Sequence, residues 1–236
     1  MIKLSLTAIL FSLPVVASFA LKPLPSPRPV FRTTQTAHRP TNMQDIRCVI
    51  VGDTSVGKSC LIISNTTGAF PGEYYPHILE NHNANWMIDG KPTNFVFLDT
   101  GAAEDDEPSR ILHYPHADVV MICFSVVSPS SFESVETKWR PEIERLCPNV
   151  PIVLVGTKVD LREERGTVDR LSKENLLPIT HDQGLELSLR IGASRFFECS
   201  ALTQENLRPT FFETSRIVFA LRSKNSHKKD RSCLIA

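Results

Sequence analysis

Gly52-Asp53-Thr54-Ser55-Val56-Gly57-Lys58-Ser59 has the form G-x-x-x-x-G-K-[ST]. Ile46-Arg47-Cys48-Val49-Ile50-Val51 precedes it, an apolar run suited to a buried parallel strand, and Cys60-Leu61-Ile62-Ile63 opens a helical pattern after it. A glycine-rich turn between a strand and a helix N-terminus aims backbone N–H groups at an anion. Lys58 then reaches the outer phosphates of a nucleotide, and the Ser59 hydroxyl is a hard oxygen ligand for Mg²⁺. Residues 52–60 are therefore the first candidate site, a phosphate cradle, and the fold it implies is an α/β layer structure.

The chain has 236 residues, room for one α/β domain and tails but not for two domains of any size. Its 26 basic and 26 acidic residues cancel, so there is no bulk signal for nucleic acid, and none is expected as a partner. Of the six cysteines, Cys48, Cys60, Cys123 and Cys199 lie in apolar runs or in the helix after the phosphate loop. They read as small buried hydrophobes in a reducing compartment rather than as a disulfide framework. His113-x-x-His116 has no cysteine or carboxylate at zinc-ligand spacing.

Residues 1–42 do not belong to this pattern. Met1-Ile2-Lys3 gives a positive start, Leu4 to Ala20 is almost wholly apolar, and Ser18-Phe19-Ala20 supplies small residues for a signal peptidase. Pro23, Pro25, Pro27 and Pro29 follow as a linker, and Met43-Gln44 opens the domain as a translation start would. Three readings stay open: an upstream extension of the reading frame, a genuine signal or anchor, and a transit-like segment.

From residue 46 strands and helices alternate. Residues 84–88 and 93–98 flank Asp89-Gly90, a hairpin with a D-G turn. Strands follow at 118–125, 151–156 and 195–199, with helical patterns at 131–146, 181–191 and 206–222. This order predicts a mostly parallel sheet of six strands, one antiparallel strand at its edge, and helices on both faces. Ligands of such sheets sit at the carboxyl ends of the strands.

Three further motifs occupy strand ends. Asp99 closes Leu98-Asp99-Thr100-Gly101 and, beside a phosphate loop, is the expected carboxylate partner of Mg²⁺. Thr157-Lys158-Val159-Asp160 follows a strand. The Asp160 carboxylate can accept hydrogen bonds from N1 and the exocyclic amine of guanine, a donor pair that adenine lacks, while the Lys158 stem packs over the ring. Cys199-Ser200-Ala201-Leu202 after the last strand is placed to offer a backbone N–H to the guanine oxygen. The site so defined takes GTP or GDP with Mg²⁺.

With these residues in order, the chain resembles a Rho/Rac-type small GTPase of the Ras superfamily over nearly all of 43–236. The carriers are residues 52–59, Phe70-Pro71-Gly72-Glu73-Tyr74, Asp99-Thr100, Cys123-Phe124-Ser125, residues 155–162 and Glu198-Cys199-Ser200-Ala201-Leu202-Thr203. The charged segment 162–177 followed by Pro178-Ile179-Thr180 resembles the insert that separates Rho-type members from other Ras-like proteins. The resemblance implies that Phe70 lies edge-on to guanine and that residues 70–82 and 99–115 are two switches reading the γ-phosphate. It places Ala102 among the nucleotide contacts. It also implies effector, exchange-factor and GDI-type protein partners.

The same comparison exposes three departures. His77 stands where the family has the switch threonine that binds Mg²⁺, and an imidazole is a poor substitute for a hydroxyl at a hard cation. Ala103 stands where the family has the glutamine that orients the attacking water, and Thr54 replaces a phosphate-loop glycine. The binding motifs are complete while the water-orienting position is Ala103, so the sequence predicts binding with slow hydrolysis and supplies no confident catalytic residue. A normally cycling enzyme, in which Glu104 or His77 positions the water, and a nucleotide-free interaction scaffold remain the alternatives.

Cys233-Leu234-Ile235-Ala236 fits C-a-a-X, with alanine favouring farnesyl, so Cys233 is the expected lipidation site. Arg222, Lys224, Lys228, Lys229 and Arg231 upstream supply attraction to an anionic inner leaflet. The division is thus a 1–42 extension, a 43–222 G-domain and a 223–236 basic tail. Its expected place is the cytoplasmic face of the plasma membrane or endomembranes, against a secretory route if residues 1–20 are a real signal.

Overall fold

The computed structural model describes residues 43–72, 81–100 and 107–233, without the side chains of Asn81, Ser109 and 225–233. Residues 1–42, His77, Ala102, Ala103, Glu104 and the last three positions of the C-a-a-X box lie outside the described residues, as does the Cys233 side chain.

In chain order the elements are β1 (Gln44–Val51), α1 (Lys58–Thr67), β2 (Asn81–Ile88), β3 (Lys91–Asp99), α2 (Glu107–Ile111), a 3₁₀ turn (Tyr114–His116) and β4 (Val119–Ser125). They continue with α3 (Pro129–Ser134), a π-helical segment (Val135–Trp139), α4 (Arg140–Leu146), β5 (Ile152–Thr157) and a second 3₁₀ turn (Val159–Leu161). Last come α5 (Arg165–Lys173), α6 (His181–Arg190), β6 (Arg195–Glu198) and α7 (Leu207–Cys233). The strands form one six-stranded sheet in the order β2-β3-β1-β4-β5-β6. Only the edge pair β2/β3 is antiparallel, turning at Asp89 (φ 49°) and Gly90 (φ 75°), both in the left-handed region that a two-residue hairpin with this twist requires.

Parallel registers pair Ile50 with Asp99, Val51 with Ile122, Ser125 with Thr157 and Gly156 with Glu198. The ends of β1, β3, β4, β5 and β6 therefore lie along one edge of the sheet, and the phosphate loop, Asp99, Thr157–Asp160 and Cys199–Leu202 fall there. All seven residues of β4 are buried, as a central parallel strand covered on both faces requires.

Each face has its own core. On one, Trp86, Phe95, Phe97, Phe211 and Phe212 interlock with ring centroids 4.8 to 6.1 Å apart, joining the hairpin to α7 over Ile46, Ile50 and Leu61. Burial of each such ring stabilises the fold by about 1.5–3 kcal/mol. On the other, Trp139, Ile143, Leu171 and Leu187 from the helices after β4 and β5 cover Val120, Ile122 and Leu154. Arg216 grips Asp89 through two hydrogen bonds of 2.9 and 2.7 Å, and Arg222 donates to Asp118 at 2.6 Å. Exposed pairs of this kind contribute little to stability, so the packing of the rings is what holds α7 to the sheet.

Two elements differ from the sequence reading. The helix expected over 131–146 is interrupted at Val135–Trp139, where the Arg140 N–H reaches back five residues to the Val135 carbonyl. Pro141 has no N–H to continue the ladder, and a wider turn of this kind is the usual form of a local insertion in a helix. The last helix, expected to stop at 222, continues to Cys233, so the backbone of the basic segment from 223 to 233 is helical. Arginine and lysine are good helix formers, and no proline or glycine intervenes to stop the helix.

Candidate functional site

Gly52 leaves β1 with φ 144°, and a Cβ there would lie 2.1 Å from the Cys123 carbonyl oxygen. Only glycine fits a turn that tight against β4. Gly57 then takes φ 104° as the N-cap of α1, and its carbonyl accepts from the Leu61 N–H at 2.8 Å. The octet thus wraps the N-terminus of α1, where backbone donors and the helix dipole favour an anion.

Lys58 is buried, and its Nζ donates to the Gly52 carbonyl at 2.8 Å and the Asp53 carbonyl at 3.0 Å. Burial lowers its pKa, with the negative charge of Asp99 acting in the opposite direction. A desolvated ammonium folded back onto its own loop is poised for a polyphosphate, which restores a strong counter-charge. The Ser59 hydroxyl donates to Asp99 Oδ2 at 2.6 Å, so the two residues picked for Mg²⁺ are brought together from positions 40 apart. This is a hard oxygen pair, as Mg²⁺ prefers. Among the described residues no group of three or more His, Cys, Asp or Glu side chains is arranged to hold a metal.

Beside the loop is a cavity of about 260 Å³ lined by Gly57, Cys60, Leu61, Phe70, Thr157, Lys158, Asp160, Leu161, Ala201 and Leu202. Most of its wall is hydrocarbon and Asp160 supplies a carboxylate, which suits a flat heterocycle with a donor edge. Thr157 ties this wall to the phosphate loop by donating to the Val56 carbonyl at 2.5 Å and the Phe124 carbonyl at 2.9 Å. Lys158 sits at φ 61°, a left-handed conformation unfavourable for a side-chain-bearing residue, and its Nζ donates to the Ser55 carbonyl at 2.6 Å. That contact lays its stem across the cavity mouth, and burial lowers its pKa. Phe70 is 42% exposed at the rim.

Ser200 braces its loop through both backbone and side chain. Its N–H donates to the Glu205 carbonyl at 3.0 Å, so within Cys199–Leu202 the N–H expected for a base oxygen is not that of Ser200. Its hydroxyl instead donates to Asp160 Oδ1 and accepts from the Thr203 N–H at 3.0 Å. Ala201 and Leu202 line the cavity as expected. Cys48, Cys123, Cys147 and Cys199 are buried free thiols, and burial pushes Cys123 up to about 12, whereas Cys60 is half-buried and faces the cavity. Thr54 and Ser55 are exposed on the loop.

Three residues escaped the sequence reading. Leu61 and Leu161 line the cavity, and Trp139 donates from Nε1 to Asp53 Oδ1 at 2.8 Å, so the Asp53 side chain is engaged by the helix after β4. Leu61 and Leu161 lie within three residues of their motifs and were open to inspection. The Trp139 contact spans 86 positions and had no local signal.

A loop around a helix N-terminus, a seryl–aspartyl oxygen pair and a carboxylate-edged cavity at the carboxyl ends of a parallel sheet define a phosphate-loop nucleotide-binding domain. The sequence model of the Ras family matches residues 47–220, three quarters of the chain and all of the site described. The chain therefore belongs to the Ras family, and its domain is that of a small GTPase that binds guanine nucleotide.

Proposed function

We propose that this protein is a Rho/Rac-like member of the family, a switch that binds GTP and GDP with Mg²⁺ at a membrane surface and hydrolyses GTP slowly. The observation that carries the reading is the pairing of Asp160 with Ser200 in a cavity contiguous with the phosphate loop. The described phosphate loop, the Ser59–Asp99 pair and the Asp160 cavity support nucleotide binding, while sequence positions 54, 77 and 103 carry threonine, histidine and alanine where turnover in the family uses glycine, threonine and glutamine.

The Rho-type assignment is supported by α5. Glu164 caps it, accepting from the Thr167 N–H at 2.6 Å, and Arg162 joins its base to Glu198 and the Ile179 carbonyl. The segment is an ordered helical insert between the base motif and α6. Mg²⁺ would be held by Ser59 and Asp99 and would neutralise phosphate charge. The residues of the chain then do the rest: Lys58 pairs with phosphate, the loop N–H groups orient it, and Asp160 selects guanine. Prenylation at Cys233, with the basic residues before it, supports attachment to the inner leaflet of the plasma membrane or endomembranes. Effectors, exchange factors and GDI-type proteins are the proposed protein partners.

The test is single-turnover hydrolysis of GTP preloaded on the protein, with and without a Rho-type activating protein. Turnover that stays slow in both is the expected result, and rapid, stimulable turnover would falsify the slow-switch reading. Failure to take up a fluorescent guanine nucleotide at micromolar concentration would replace it with a nucleotide-free scaffold.

A further inference from the structure

Asp53 is an awkward residue for a loop that holds phosphates, because a carboxylate there repels the ligand unless something turns it away. The indole of Trp139 does so, with Nε1 donating to Asp53 Oδ1 at 2.8 Å. The Asp53 carbonyl meanwhile accepts from Lys58 at 3.0 Å. The residue is thus clamped on both sides, by the phosphate lysine through its backbone and by the helix after β4 through its side chain.

Trp139 is itself held. It is fully buried at the end of the π-helical segment, whose extra residue per turn shifts where its side chain points relative to a regular helix. The Arg110 guanidinium lies 5.1 Å from its ring centroid, within the range of a cation–π contact. Arg110 is 2% exposed and pairs with Glu142, Nε to Oε1 at 2.7 Å and Nη2 to Oε2 at 2.9 Å. Tyr114 adds its hydroxyl to Glu142 Oε1 at 2.5 Å. Buried groups linked in this way have a narrow choice of geometry, since moving one leaves another unpaired away from water. A continuous set of contacts therefore runs from Tyr114 and Glu142 to Arg110, from Arg110 to the Trp139 ring, and from Trp139 to Asp53 of the phosphate loop.

We propose that Trp139 is a positioning residue for nucleotide retention, holding the Asp53 carboxylate out of the phosphate cradle and linking that hold to the Arg110–Glu142–Tyr114 cluster of the Glu107–His116 segment. This rests on the functional reading above. Trp139→Phe deletes the N–H while keeping an aromatic ring, which frees the carboxylate to approach the phosphates, and the Asp53→Ala background separates that effect from the lost ring volume.

The experiment measures release of a fluorescent GDP analogue from the full-length protein, comparing Trp139→Phe with wild type and again in an Asp53→Ala background. Losing a hydrogen bond to a charged acceptor makes the expected acceleration about tenfold in the first comparison. Under twofold is expected in the second, where there is no carboxylate left to hold. Glu142→Gln follows the same pattern with a smaller effect, and it carries the test should Trp139→Phe not fold. Release within twofold of wild type for both variants overturns the proposal. So does an equal acceleration in both backgrounds, which a role in packing alone would produce. A wild-type protein that takes up no guanine nucleotide overturns the functional reading together with this one, whereas uptake with unaltered release overturns this one alone.

Discussion

The Ser200 hydroxyl donates to Oδ1 of Asp160 while accepting from the Thr203 N–H, so the turn after β6 fixes the carboxylate that the turn after β5 presents. A carboxylate free to rotate would lose conformational freedom on binding a base, and this one has already lost it. On the proposed function, base selection belongs to two loops that meet.

Asp160→Asn should weaken GTP binding by about a hundredfold, because an amide replaces a charge-assisted acceptor with one oxygen and one mismatched donor. Ser200→Ala leaves the carboxylate in place but unfixed, and a loss of about tenfold is expected. Fluorescence titration with a labelled guanine nucleotide measures both, and equal losses would mean that Ser200 contacts the nucleotide itself.

Chelating Mg²⁺ should speed GDP release, and the size of that response reads the Ser59–Asp99 pair directly. In wild type an acceleration of at least about tenfold is expected on adding EDTA, since the ion offsets phosphate charge beside the buried Lys58. Ser59→Ala should release fast already and respond to EDTA by less than about twofold. An undiminished response in that variant would place the ion elsewhere.

The cluster around Glu142 gives a pH-dependent stability. Burial alone would raise the Glu142 pKa, but the hydrogen bonds from Arg110 and Tyr114 outweigh it, and the net shift is below the ordinary 4.5. A carboxyl whose folded pKa is depressed stabilises the fold fully above its unfolded value and loses that contribution as pH falls through the folded one. Urea midpoints of wild type should therefore drop below about pH 4.5 more steeply than those of Glu142→Gln. At pH 7 the variant should be less stable by about 3 kcal/mol, the cost of leaving Arg110 buried against a neutral partner.

Most of the fold was legible because its strands are short apolar runs ending in residues with few other uses at such a place. Ile46 to Val51 before a phosphate loop and Ile152 to Gly156 before Thr157-Lys158 leave little freedom in where β1 and β5 stop. The illegible parts are those whose partner is remote in sequence. Nothing near Trp139 announces Asp53, and a π-helical stretch of five residues is too short to alter a 3.6-residue periodicity measured over a window of sixteen. The stretch Cys199–Leu202 was legible as a turn beside the base, but the Ser200 hydroxyl bond to Asp160, across 40 positions, had no local signal. The end of α7 was missed because a run of basic residues is compatible with both a solvated tail and a helix.

Asn65 in α1 marks a place where the sequence and the packing disagree. It is 5% exposed, and neither its Nδ2 nor its Oδ1 has a hydrogen-bond partner among the described residues, with the Ser64 hydroxyl beside it in the same condition. Read along the chain, Ile62-Ile63-Ser64-Asn65-Thr66-Thr67 looks like a helix turning its polar side to water. Instead both polar side chains are turned inward, and Asn65, with Leu207 and Arg208, borders a small cavity between α1 and the start of α7. An unsatisfied buried amide costs about 1–3 kcal/mol, and leucine has the same branched heavy-atom skeleton with nothing to satisfy, its extra bulk falling into the bordering cavity. Asn65→Leu should therefore raise stability by about 1–2 kcal/mol, a rise of about 2–8 °C in Tm for a domain of this size. Calorimetry with and without nucleotide decides the matter. An increase of similar size in both states is expected, because the residue lies at the far end of α1 from the phosphate loop. A loss of stability would show that the amide is paired in solution and that its burial without a partner is not a property of the folded protein.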